Sequence, residues 1–163
     1  MLEQSILIAQ TASVGLIAAW LTTGVVDNIR HPEINEAFTA QVMKMTRMKE
    51  GYPDEYAQVA HRAITSRSIQ KLSFRLVVAA ELMAALVLWA GVVALLMALA
   101  GVGSVETGKA VALLGATLFL LIWGGFLVVG NYFSYWFCHE GAQNTHYQMT
   151  LWGLGNMIFL AAA

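Results

Sequence analysis

The sequence predicts an all-α membrane protein of four transmembrane helices, with a short amphipathic helical cap between the first and the second. Three observations carry this reading. Of 163 residues, 58% are hydrophobic and only 12% charged, with a mean hydropathy of +0.63; that leaves too few polar groups to cover a water-facing surface, whereas a bilayer requires none. Four apolar stretches approach the roughly 20 helical residues that cross a hydrocarbon core. Finally, Arg30, Lys44, Arg47, Lys49, Arg62, Arg67, Lys71 and Arg75 all lie in one connection, leaving only Lys109 elsewhere. Such an uneven distribution of basic residues is typical of a chain that crosses a membrane several times.

The first span covers about residues 6–26. Within it Thr11, Gly15, Ala19 and Thr23 recur every fourth residue and form a small-residue stripe suited to close helix packing. Asp27, Asn28, Arg30, His31 and Pro32 end the span. The cap follows over residues 32–70. Pro32 and Pro53 each stand where a helix can begin, followed by Glu33 and Glu36 in one case and Asp54 and Glu55 in the other, the charge sign that a helix N-terminus favours. Phe38, Val42 and Met45 recur at helical spacing opposite Glu36, Lys44 and Arg47, and Tyr56, Val59 and Ala63 do so opposite Glu55, Arg62 and Arg67. Two short amphipathic helices result. Their pattern serves equally for lying on the membrane surface and for packing on each other.

The second span, about residues 76–100, carries Glu81 near its start and a second small-residue stripe, Ala90, Ala94 and Ala98. A connector from Gly101 to Lys109 leads to the third span, about residues 110–129; so short a connection makes the two antiparallel neighbours. The fourth span, residues 144–163, is the least apolar. Its continuous apolar part, Met149 to Ala163, reaches only about 22 Å at 1.5 Å per residue, short of a core of roughly 30 Å. The helix is therefore expected to begin near Asn144, with its polar residues in the headgroup layer or facing the bundle.

Orientation follows from the basic residues: the connection 27–75 is expected to be cytoplasmic in a multi-pass protein of a bacterial inner membrane. Met1 to Ser5 carries Glu3 and no lysine or arginine, so no cleavable signal is expected. Counting spans brings Asn131 to Tyr147 back to the same side as the cap. One membrane face then collects the candidate polar or ligand residues Asp27, Asn28, His61, Arg62, Glu81, His139, Glu140, Asn144 and His146. Glu81 would lie about 7 Å inside its span. An ionisable group there costs about 3 kcal/mol at the helix centre and marks a candidate site. The plainer alternative is a pairing with Arg75 or a cap residue that fixes helix orientation. His139 and His146 fall on one side of a helix about 10 Å apart, too far to share a metal ion, so each would need a partner from another segment or would sit in the aromatic belt beside Tyr132, Trp136, Phe137 and Tyr147.

The chain has no Gly-rich phosphate loop, GxSxG, HExxH or CxxCH, and no enzyme activity is expected. Its one cysteine, Cys138, allows no internal disulfide. Near-zero net charge gives no indication of nucleic-acid binding.

Several short motifs are familiar together. They are the Asp27-Asn28 exit from the first span, HRAI at His61 to Ile64, Glu81 entering the second span, WGGFLVVGNYFSYW at Trp123 to Trp136, and EGAQNTHYQMT at Glu140 to Thr150. In this order they resemble the domain-of-unknown-function 2165 family of predicted small integral membrane proteins. The resemblance implies four spans and supplies no activity.

Three functions are therefore expected, in this order. The first is an accessory or assembly subunit of a larger bacterial membrane complex, respiratory or photosynthetic, with the lipid bilayer and other membrane protein subunits as partners. The second is a homo-oligomeric proton or cation transporter or channel using Glu81. The third is a haem- or quinone-binding membrane protein using His139 and His146. Cofactor and metal are left open.

Overall fold

The computed structural model describes residues 1–162, and among these the regular secondary structure is all helical, with no strand. The expected last residue of the fourth span, Ala163, lies outside the described residues. Four long helices, α1 (Leu2–Arg30), α5 (Arg67–Leu99), α6 (Val105–Tyr132) and α7 (Glu140–Ala161), form the body. Between α1 and α5 stand three short helices, α2 (Pro32–Met43), α3 (Thr46–Gly51) and α4 (Pro53–Val59), and a 3-10 turn, Ala60–Arg62. A second 3-10 turn, Tyr135–Phe137, joins α6 to α7.

Packing runs from α1 to α5, α5 to α6, α6 to α7 and α7 back to α1, so the long helices close a ring. The tightest approach is between α5 and α6. A Cβ on Gly91 would lie 2.6 Å from the Ala112 Cα, and one on Gly115 would lie 2.9 Å from the Leu88 nitrogen. Glycine at these two positions lets the backbones meet, which is how helices gain dispersion energy where lipid offers no hydrophobic drive.

The small-residue stripes do not follow this contact face. Thr11 is buried and Gly15 half-buried, but Ala19 and Thr23 are exposed; Ala90 is exposed, and Ala94 and Ala98 are half-buried. The buried faces are instead Val14, Ile17, Ala18, Leu21 and Val25 on α1, and Ala84, Ala85, Leu88, Gly91, Val92 and Leu95 on α5. The reason is geometric: with 3.6 residues per turn, a step of four drifts by about 40° each time, so a strict fourth-residue stripe leaves the contact face within three steps.

Among the described residues three helices are long and apolar enough to cross a membrane, not the four expected: α1, α5 and α6, with mean hydropathies of 1.6, 2.6 and 2.3 over their most apolar stretch. Helix α7 falls outside this group because its first half is polar, with Glu140, Asn144, Thr145 and Gln148 exposed, while two polar contacts tie its apolar half to α1. Asn156, 3% exposed, accepts a hydrogen bond from the Ser13 hydroxyl at 2.9 Å, and the Gln10 Nε2 donates to the Phe159 carbonyl at 2.7 Å. Buried polar groups thus tie α7 to α1 while Leu151, Leu154, Ile158 and Phe159 remain on its outside.

The cap packs on itself. Pro32 and Pro53 open α2 and α4 as N-terminal prolines do. Between them Met45 adopts a left-handed conformation (φ 54°) that breaks the chain, and residues 67–70, expected in the cap, already belong to α5. Met43, Met45, Met48 and Phe133 form a separate apolar cluster, with Tyr56, Val59 and Phe137 against it, so the cap is seated on the turn that follows α6.

Candidate functional site

Beneath the cap, the capped end of the helix ring forms an open-sided cavity of about 770 Å³. Helix α1 lines it with Trp20, Gly24 and Asn28, α2 with Phe38, Thr39 and Met43, α5 with Phe74, Val77 and Glu81, and α6 with Trp123, Phe126 and Gly130; Tyr135 and His146 complete the wall. The lining positions on α1, α5 and α6 each span about 13 Å of helix, less than half of a core of roughly 30 Å. Farther in, Val14, Ile17, Leu88, Leu95, Ala116 and Phe119 are wholly buried and close the ring. The cavity is blind at its inner end.

Its polar groups fall into two sets. In the first, Glu81 is 5% exposed and accepts a hydrogen bond from the Asn28 Nδ2 at 3.0 Å, while the Asn28 Oδ1 accepts one from the Asn35 Nδ2 at 2.6 Å. The chain links α2, α1 and α5. The expected pairing with Arg75 is not formed; that side chain is exposed and makes no ion pair with Glu81, and no lysine or arginine lines the cavity. Where the sequence suggested a charge pair, an amide holds the carboxyl group.

The second set surrounds His146. Its ring lies 4.8 Å from Phe126, 5.5 Å from Trp123 and 5.9 Å from Tyr135, the last stacked at 21°. Tyr135 reaches this place because Ser134 takes a left-handed conformation (φ 51°) and folds the chain back onto α6. The ring then fills the space where a Cβ on Gly130 would sit, 2.6 Å from Tyr135 Cε1, so glycine at that position admits it. Trp123 Nε1, Tyr135 Oη and His146 Nδ1 are buried and have no hydrogen-bond partner within the protein. Burial holds the Tyr135 phenol above its usual range, in its neutral hydroxyl form at neutral pH.

The other expected residues lie apart. His139, 6% exposed, caps α7 and meets the Phe38 ring edge-on at 5.3 Å; burial, and then the nearby Arg47 guanidinium, hold its pKa below the usual value. Arg47 Nη1 also donates to the Cys138 carbonyl at 3.4 Å, and burial pushes the Cys138 thiol up against the opposing effect of that guanidinium. Arg62 donates to the Tyr132 carbonyl at 3.3 Å and stands 5.6 Å over that residue's ring, a cap contact and not a cavity one. Asp27, His61, Glu140 and Asn144 are exposed. Among the described residues no three histidine, cysteine, aspartate or glutamate side chains converge as metal ligands would.

Of the nine expected polar residues, then, Asn28, Glu81 and His146 meet at the cavity. Trp20, Asn35, Trp123 and Tyr135 were not among them. The run Trp123 to Trp136 contains two of these four, and its aromatic density was the available signal.

The family profile described as Predicted small integral membrane protein (DUF2165) matches residues 6–163, nearly the whole chain. The chain belongs to this family. In this DUF2165 protein the matched region therefore includes every element that builds the cavity, from α1 to α7. No curated protein and no solved structure matches the chain.

Proposed function

We propose that this DUF2165 protein is an intramembrane binding protein that holds a small, largely apolar molecule without negative charge. The cavity carries the proposal. Its volume falls within the several hundred cubic ångströms usual for small-molecule sites, its walls are aromatic and aliphatic, and a few polar groups converge on it. Leu76 and Val129 line it while remaining 61% and 55% exposed, so it opens sideways, toward lipid. With Glu81 as its one carboxyl group and no basic residue in the wall, an anionic ligand would enter without a counter-charge. The role is one of binding and not of catalysis.

In this reading the cap, with its basic residues, lies on the cytoplasmic side, and α7 crosses as a fourth span, with His146 and Asn156 toward the bundle and the exposed Glu140, Asn144 and Gln148 near its first turns in the headgroup layer. The accessory-subunit role draws no support from the surface: exposed Leu16, Leu86, Leu114 and Leu121 are what lipid solvates, and nothing there selects a protein. A second reading, a cation-coupled carrier, is favoured by one observation, the absence of a basic residue beside Glu81. It requires the blind end to open, and Glu81→Gln should then abolish flux in liposomes.

Gly125 provides the test of the binding role. It lines the cavity, and a Cβ there meets no atom within 4 Å, so Gly125→Leu should fill the space and leave the fold intact. In nanodiscs, an uncharged brominated naphthalene should quench the fluorescence of Trp20 and Trp123 saturably in the wild type and only in proportion to its partitioning into lipid in the variant. Unsaturable quenching in both would refute the binding role.

A further inference from the structure

We infer that the ligand is an organic cation, a quaternary ammonium group on an apolar body, and that Glu81 is its counter-ion; this rests on the binding role proposed above. Among the described residues Glu81 is the one carboxyl group of the cavity wall, which has no lysine or arginine. Asn28 donates to one of its oxygens, Oε2, at 3.0 Å, and Asn35 holds Asn28 in turn. The other oxygen, Oε1, accepts no hydrogen bond from the described residues yet keeps accessible area, unlike the enclosed polar atoms of Trp123, Tyr135 and His146. A molecule in the cavity can therefore reach it. A carboxylate removed from water and offered only a neutral amide lacks a counter-charge, which within a membrane comes from another side chain or from what the protein binds. The side chains supply none here, since Arg75 is exposed and makes no ion pair with Glu81.

The walls narrow the kind of cation. Calcium and magnesium take at least about six oxygen ligands, and among the described residues no three acidic, histidine or cysteine side chains converge. A hydrated ion would also meet Phe38, Phe74, Val77 and Phe126, which cannot replace its water. In a quaternary ammonium group the charge lies beneath methyl groups and needs no hydrogen bonds. Such a group suits an apolar wall, and aromatic rings attract it as well. The sideways opening between Leu76 and Val129 admits its apolar body from lipid.

The experiment uses the full-length protein in phosphatidylcholine nanodiscs, whose zwitterionic lipid does not concentrate cations, and measures equilibrium binding of two probes relative to their partitioning into empty nanodiscs. The probes are (1-naphthylmethyl)trimethylammonium and 1-neopentylnaphthalene, which have the same shape and differ in nitrogen against carbon, and so in charge. The wild type should bind the cation at least tenfold more tightly than the hydrocarbon. Glu81→Gln keeps an acceptor for Asn28, and Glu81→Met puts an apolar chain of similar length in its place; each should bring the preference below threefold while the hydrocarbon's affinity holds. A preference unchanged in either variant overturns the assignment to Glu81. Equal, saturable binding of the two probes by the wild type overturns the inference and leaves the binding role standing, whereas failure of the wild type to bind either probe saturably overturns both.

Discussion

Gly91 and Gly15 are both helical glycines in membrane spans, but only one of them is a packing position. Alanine at Gly91 would drive its Cβ into the Ala112 backbone, which has no flexible end to move aside, so the α5–α6 interface must separate. A loss of about 1–3 kcal/mol is expected for Gly91→Ala, as for other overpacked sites. Gly15→Ala meets nothing within 4 Å and should stay within about 0.5 kcal/mol of the wild type. Unfolding in mixed micelles measures both. His139 supplies a pH dependence. Its folded pKa lies below the usual 6.5, so as pH falls the unfolded chain takes up a proton that the folded protein resists. The contribution is complete above pH 6.5 and is lost as pH falls through the folded value. His139→Gln should therefore lose less stability than the wild type between pH 7.5 and 5.5 in the same unfolding assay.

At the scale of elements, the cap is a separate small core. Met43, Met45, Met48 and Phe133 are each less than 10% exposed and pack away from the main cluster of the helix ring. Met48→Ala should cost the cap about 2–5 kcal/mol, the usual range for emptying a buried site. Amide exchange should accelerate across α2, α3 and α4 while the buried stretch of α6 around Ala116 keeps its protection. Exchange accelerating equally everywhere would show that cap and ring unfold as one unit. The ion pair between Arg67 and Glu36 joins the cap to α5, but half of the arginine side chain is exposed, and Arg67→Ala should cost less than about 1 kcal/mol. Proline placed the starts of α2 and α4 legibly, since its effect is local. The break at Met45 had no such signal: burial of its side chain in the cluster outweighs the penalty for a left-handed non-glycine residue.

For the whole molecule the open quantity is the course of α7. If it crosses the membrane, a tag after the last helix and a label on the cap lie on opposite sides; if it does not, both lie on the same side. With Cys138 replaced by serine, single cysteines at exposed Lys49, at Gly103 in the connector between α5 and α6, and at exposed Ala162 can be challenged with an impermeant thiol reagent in oriented vesicles. The four-span arrangement requires Gly103 and Ala162 to react together and Lys49 to react only from the other side. Reaction of Ala162 together with Lys49 would leave three spans and lay α7 along the bundle without crossing it.

By itself the sequence determined the solvent this chain folds in, its long helices with ends as much as nine residues out, as at the start of α5, the presence of a helical cap between the first two of them and the family to which it belongs. Each of these depends on composition or on neighbours along the chain: an apolar run, a proline, a helical period. The site depended on contacts between distant residues. Asn28 and Glu81 are 53 positions apart, and periodicity can say that each faces inward without saying that they face each other. Tyr135 joins Trp123 and His146 only because a left-handed serine turns the chain and Gly130 leaves room for the ring. The tertiary structure decided those meetings, and the cavity with them, because a helix pattern specifies which face is buried, while the order of helices around the ring and the shape of their contacts specify what that face meets.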